Sequence, residues 1–169
     1  MTEPVTTTVT TTAASAATAT ATSAGSPPRR AFGFWLGTLR VLAVLHAAIL
    51  IGQPLSIGQY LGGLYTWLGI HSAGATAVVL ISFLLAVTSI GYAVTGGRIV
   101  VPIVCWLLLF AEIVQTGMGY ARVLAVHIPL GVFVVTAGVL VAVWSLSRAA
   151  RRCRHRGVRP VAPVTGEDR

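Results

Sequence analysis

Residues 70–98 read IHSAGATAVVLISFLLAVTSIGYAVTGGR, and this stretch decides the fold. From Ile70 to Val94 no side chain carries a formal charge. About 20 such residues in a helix cross the hydrocarbon core of a bilayer. Thr95-Gly96-Gly97-Arg98 then reads as a tight turn, because paired glycines punctuate a helix. Val100–Gly119 follows as another apolar run. So short a link forces the two helices to lie antiparallel.

The same pattern continues outward. Tyr120-Ala121-Arg122 is a short connection, and Val123–Leu146 is a further span. Upstream, the first span lies within Phe34–Tyr60, in one of two registers. If Arg40 snorkels to the inner surface, the span is Leu36–Leu55. If Arg40 marks the boundary, it is Val41–Tyr60, kinked at Pro54. The reading is an all-α integral membrane protein, an up-down four-helix bundle over residues 34–146. Residues 1–33 form a disordered Thr/Ala-rich cytoplasmic tail, and residues 147–169 an Arg-rich cytoplasmic tail. The first 28 residues hold ten Thr, seven Ala and three Ser, which cannot bury enough surface to offset their ordering entropy.

Composition agrees. Of 169 residues, 55% are hydrophobic and 9% charged, far from the quarter charged that a soluble domain carries. Across residues 31–146 the only charged side chains are Arg40, Arg98, Glu112 and Arg122. That excludes a soluble catalytic domain. All basic residues are arginine, which suggests a GC-rich, bacterial gene. The net charge of +8 lies beside the spans, where it reports topology and attracts anionic lipids rather than nucleic acid. Arg29, Arg30, Arg98 and the six arginines between 148 and 159 fall on one side, and Arg122 alone on the other. The positive-inside rule puts both termini in the cytoplasm and the protein in the cell membrane as a multi-pass chain. Cys105 and Cys153 are expected to stay unpaired.

Polar groups inside spans are costly, so each needs a reason. They are His46, Gln53, Gln59, His71, Glu112, Gln115 and His127. His71 opens the second span and His127 the fourth, at similar depth near the outer face. In an up-down bundle those helices are diagonal neighbours. Two imidazoles facing each other there suit a haem iron, as b-type haem, with small residues leaving room for the flat ring: Ser72, Ala73, Gly74 and Ala75 after His71, and Gly131, Gly138 and Ser145 after His127. The same residues also suit ordinary close packing of membrane helices. Gln59, Gly63 and His71 repeat the spacing of Gln115, Gly119 and His127, which suggests a parallel two-helix repeat. Glu112 is the only acid in any span, and the first register of span one brings His46 to its depth. Such a pair reads as a polar relay or as a packing hydrogen bond.

The stretch Glu112-Ile113-Val114-Gln115-Thr116-Gly117-Met118-Gly119, leading to Val126-His127-Ile128-Pro129-Leu130-Gly131, resembles the third-to-fourth helix junction of one half of a heme A synthase. The resemblance covers roughly residues 40–146 and implies His71 and His127 as haem ligands. Trp67 and Leu68 stand where that family has a glutamate a turn before the histidine, and its loop cysteine pair is missing. The synthase reaction is therefore not expected, and no catalytic residue is assigned. The chain also resembles small four-helix bacterial membrane proteins of unknown function. Three functions stay open: haem-based electron transfer or haem holding, with a quinone or membrane redox partner; a cofactor-free accessory or assembly subunit; and a small proton-linked transporter, which four spans would support only as a homo-oligomer.

Overall fold

The computed structural model describes residues 29–152. Among them it contains four α-helices: α1 (Arg29–Leu61), α2 (Trp67–Val94), α3 (Val100–Tyr120) and α4 (Leu124–Leu146). A 3-10 turn, Arg148–Arg151, follows α4. All four helices are long and apolar enough to cross a membrane, so this is a multi-pass membrane protein. A helix satisfies its own backbone hydrogen bonds, which the bilayer interior demands. Large side chains such as Leu80, Phe83, Phe110 and Leu140 point outward, as a lipid-facing surface requires.

α1 and α3 each pack against α2 and α4. The bundle is thus a ring in chain order, with α1 facing α3 and α2 facing α4 across the diagonals. Residues 29 and 152 and the α2–α3 turn lie at one end, termed proximal. The α1–α2 and α3–α4 turns lie at the other, termed distal. Three helix ends close in the same way. Leu64, Gly97 and Val123 donate their backbone N–H groups to the carbonyls of Gln59, Tyr92 and Met118, five residues back. This motif needs a left-handed residue just before the donor. Gly63 (φ 98°) and Gly96 (φ 113°) supply it without strain, whereas Arg122 (φ 58°) supplies it with a side chain attached.

The proximal half is tightly packed. Leu39, Ala43, Leu85, Ala86 and Cys105 are buried there. Gly91 lets α1 and α2 approach closely, because the Trp35 ring occupies the place of its missing Cβ. One expectation about the tails needs correction. Residues 29–33, assigned to the disordered tail, begin α1, and Phe32 stacks at 5.5 Å on the Tyr92 ring. The start of the C-terminal tail is also structured. The Tyr92 hydroxyl donates to the Ala150 carbonyl (3.0 Å), and Ala150 is buried. The same buried tyrosine gives both segments something to pack on. The expectations for residues 1–28, for Cys153 and for Arg154, Arg156 and Arg159 lie outside the described residues.

α1 is continuous through Pro54 and contains both registers proposed for the first span. Arg40 Nε donates to the Ser145 carbonyl (2.9 Å) in the last turn of α4. A cation is favourable against the exposed carbonyls of a helix C-terminus. The bond puts Arg40 level with the proximal end of α4, as the boundary register has it. The distal half differs in packing: no residue within 57–77 or 113–133 is buried.

Candidate functional site

His71 lies four residues into α2 and His127 three residues into α4, so both sit in the first turns at the distal end. Across the α2–α4 diagonal their ring centroids are 6.4 Å apart, with the planes at 72°. The helix order read from the sequence therefore does bring the two imidazoles face to edge.

Each imidazole is held by the helix that precedes its own. His127 Nδ1 lies 2.7 Å from the Gln115 carbonyl of α3. His71 Nδ1 lies 3.2 Å from the Gln53 carbonyl of α1 and 3.1 Å from Ser56 Oγ. Ser56 Oγ donates its own proton to the Gln53 carbonyl (2.8 Å). A carbonyl oxygen only accepts, so both imidazoles donate from Nδ1. In the neutral ring that leaves the Nε2 lone pair available. His127 Nε2 faces the Gln115 side-chain amide nitrogen at 3.3 Å, which donates to it. Among the described residues, His71 Nε2 has no hydrogen bond.

Glycines shape the surroundings. A Cβ on Gly119 would come within 2.7 Å of His127 Cε1, so the ring needs that glycine to lie against α3. The Gln53 amide fills the notch at Gly74, and the Gln115 amide fills the notch at Gly131, 3.3 Å from where a Cβ would stand. The expected space for a flat ring is thus taken by two amides. Further along α4, Leu50 and His46 press on Gly138, and Ser145 receives Arg40. Small residues along α4 serve here as sockets for polar side chains of α1 and α3.

The repeat through Gln59 does not hold. Gln59 is exposed, and its carbonyl accepts the Leu64 N–H in the turn after α1. Gly63 is a turn residue, while Gly119 is a helical residue beneath an imidazole. The correspondence that does exist joins Gln53, His71 and Gly74 to Gln115, His127 and Gly131. Unequal turns between the helices shift the register, so equal spacing misled. Ser56 was missed, although it follows Gln53 by three residues and so shares its helix face.

The second polar site lies deeper, on the α1–α3 diagonal. His46 Nε2 approaches Glu112 Oε1 at 2.8 Å, and both side chains are almost fully buried, at 0% and 1% exposure. The pair forms even though Arg40 takes the boundary position. The approach is close but is not an aligned hydrogen bond: none of the four polar atoms of the pair has a hydrogen-bond partner. No group of three or more His, Cys, Asp or Glu that would cage a metal occurs among the described residues. The distal site therefore offers two protein donors only, the number that an iron already held by a porphyrin requires. No family model, curated protein or solved structure matches this chain.

Proposed function

We propose that this protein holds one b-type haem iron between His71 and His127, for electron transfer or haem holding at the distal end of the bundle. One observation carries the reading: two imidazoles with centroids 6.4 Å apart, each held through Nδ1 by a carbonyl. A first-row metal–imidazole bond is about 2 Å, so rings this close would be the residues to hold one iron. Metal-bound histidines characteristically donate their other ring N–H to a carbonyl or carboxylate, which fixes the tautomer and raises basicity. The resemblance to half of a heme A synthase points to the same two residues.

Haem, when bound, supplies one-electron chemistry. The chain's own residues do the rest. His71 and His127 present Nε2, Gln53 and Gln115 orient the rings through their carbonyls, and Ser56 steadies His71. The Gln115 amide must release His127 Nε2, and both amides must leave the glycine notches. The sparsely buried distal half gives them room. A quinone or another membrane redox partner completes the exchange. Arg29, Arg30, Arg98, Arg148, Arg151 and Arg152 at the proximal end, against Arg122 at the distal end, orient the proximal end to the cytoplasm of a cell membrane, where anionic lipids meet it.

A visible spectrum of protein purified in mild detergent from haem-replete cells tests this. A Soret band that shifts on dithionite reduction, and disappears in His71→Ala and in His127→Ala, is expected. Colourless, folded protein rejects it. A second reading rests on the filled notches: the histidines clamp helix to helix in a cofactor-free accessory subunit. Gln115→Ala separates the two readings. Haem uptake rises several-fold if Gln115 competes for His127, and only stability falls if it clamps.

A further inference from the structure

The His46–Glu112 pair is an odd way to fasten two helices. A structural pair buried in a core satisfies its hydrogen bonds, because a lone polar atom there is costly. Here Nδ1 and Nε2 of His46 and both Glu112 oxygens have no hydrogen-bond partner. Nδ1 faces α4 at Gly138, where no side chain can answer it. The two outer atoms, Nδ1 and Oε2, are left open on either side of a 2.8 Å contact. Open ends suit groups that receive a proton on one side and pass it on from the other.

The surroundings favour one route. Toward the proximal end the pair stands on Leu39, Ala43, Leu85 and Ala86, all wholly buried and apolar. The Cys105 thiol is hydrogen-bonded to Ser89, but Ser89 and Ser145 spend their hydroxyl protons on carbonyls of their own helices, so the line of donors stops there. Toward the distal end, Gln115 is one turn beyond Glu112 on the same face of α3. Its amide reaches His127, and His127 stands beside His71, in the half where nothing from 113 to 133 is buried.

We infer that His46 and Glu112 form a buried proton-binding site that exchanges with the distal face through Gln115 and is sealed from the proximal face. Passing one proton from Nε2 to Oε1 turns imidazolium and carboxylate into imidazole and carboxylic acid, with no change in net charge. One further proton, taken from distal water, leaves the pair with a single positive charge. The other titratable or charged groups on the packed elements are Arg29, Arg30, Arg40 and Tyr60 on α1, His71 and Tyr92 on α2, Cys105 and Tyr120 on α3, and His127 on α4; the Ser145 carbonyl holds Arg40 and the Ala150 carbonyl holds Tyr92. No second carboxylate faces the pair among the described residues, so Glu112 is the one acid that can take up the proton. A site sealed on one side does not conduct, and it argues for local proton exchange over transport. The route uses the Gln115 amide where it lies against His127, so it belongs to the protein without haem.

The test is infrared spectroscopy of the full-length protein in phosphatidylcholine membranes, without haem. A protonated-carboxyl band is expected that responds to pH and to deuterium. It disappears in Glu112→Gln and moves in Glu112→Asp, which keeps the charge if the first variant folds poorly. Gln115→Leu is expected to slow its deuterium exchange at least tenfold. Tyr92→Phe, at the proximal end, leaves the exchange rate unchanged. A band that ignores pH and deuterium overturns the inference, as does exchange that Tyr92→Phe accelerates and Gln115→Leu leaves alone.

Discussion

Tyr92 and His71 lie on the same helix, about six turns apart. Tyr92 is wholly enclosed: Phe32 and Trp144 stack on its ring, and its hydroxyl pins the segment after α4. His71 is only half-buried, against another histidine and a bent-back carbonyl contact. One helix therefore serves two regimes. Its proximal half joins a dry, interlocked core, and its distal half lines a loosely covered polar site. The difference teaches where stability and function separate in this molecule. Substitutions near Tyr92 and Glu112 should cost folding, and substitutions near His71 should cost a ligand.

The largest expected effect is Glu112→Ala, which strands His46 in the core. Removing one partner of a buried pair costs about 3–5 kcal/mol. Thermal unfolding in detergent should show a large drop, with Glu112→Gln much milder. Equal costs for the two would dissolve the contrast between the halves. Next comes Gly138→Val, which drives a side chain into Leu50 and His46. Overpacking of this kind costs about 1–3 kcal/mol, measurable in the same assay. His71→Ala forfeits the Gln53 carbonyl and Ser56 contacts, a loss of about 1 kcal/mol, while removing the Soret band completely. A stability loss as large as that of Glu112→Ala would show that the distal site is structural after all. The smallest effect has the opposite sign. Arg122→Gly relieves a left-handed backbone and should stabilise by up to about 1 kcal/mol, without touching either site.

Span number, antiparallel order and the two diagonals were legible because membrane helices announce themselves by length and by uncharged runs. The end of α2 carried its signal in Gly96-Gly97, whereas Gly63 read as part of a repeat and Arg122 carried none. Pairing His71 with His127 followed from depth and order alone, whereas the depth argument for His46 and Glu112 rested on the other register of the first span. What stayed hidden depends on rotation about the helix axes. Gln53 and Gln59 differ by six residues and so by about a third of a turn in facing, and only the packed helix decides between them. The small residues of α4 were visible, but whether a notch admits a ring or an amide depends on the neighbour's rotamer. The clasp of Tyr92 on Ala150 was invisible, since nothing in an Arg-rich tail marks one alanine for burial.

Glu112 sits eight residues before the distal end of α3, about 12 Å by helical rise. The hydrocarbon layer is about 30 Å thick. A charge travelling from the distal surface to that carboxyl crosses roughly two-fifths of the layer. One elementary charge moved through the whole of it gains about 2.3 kcal/mol per 100 mV, so the partial journey gains about 1 kcal/mol. Were the proximal end to face the negatively polarised side of the membrane, the potential would draw protons toward the pair, and occupancy of the site would report voltage.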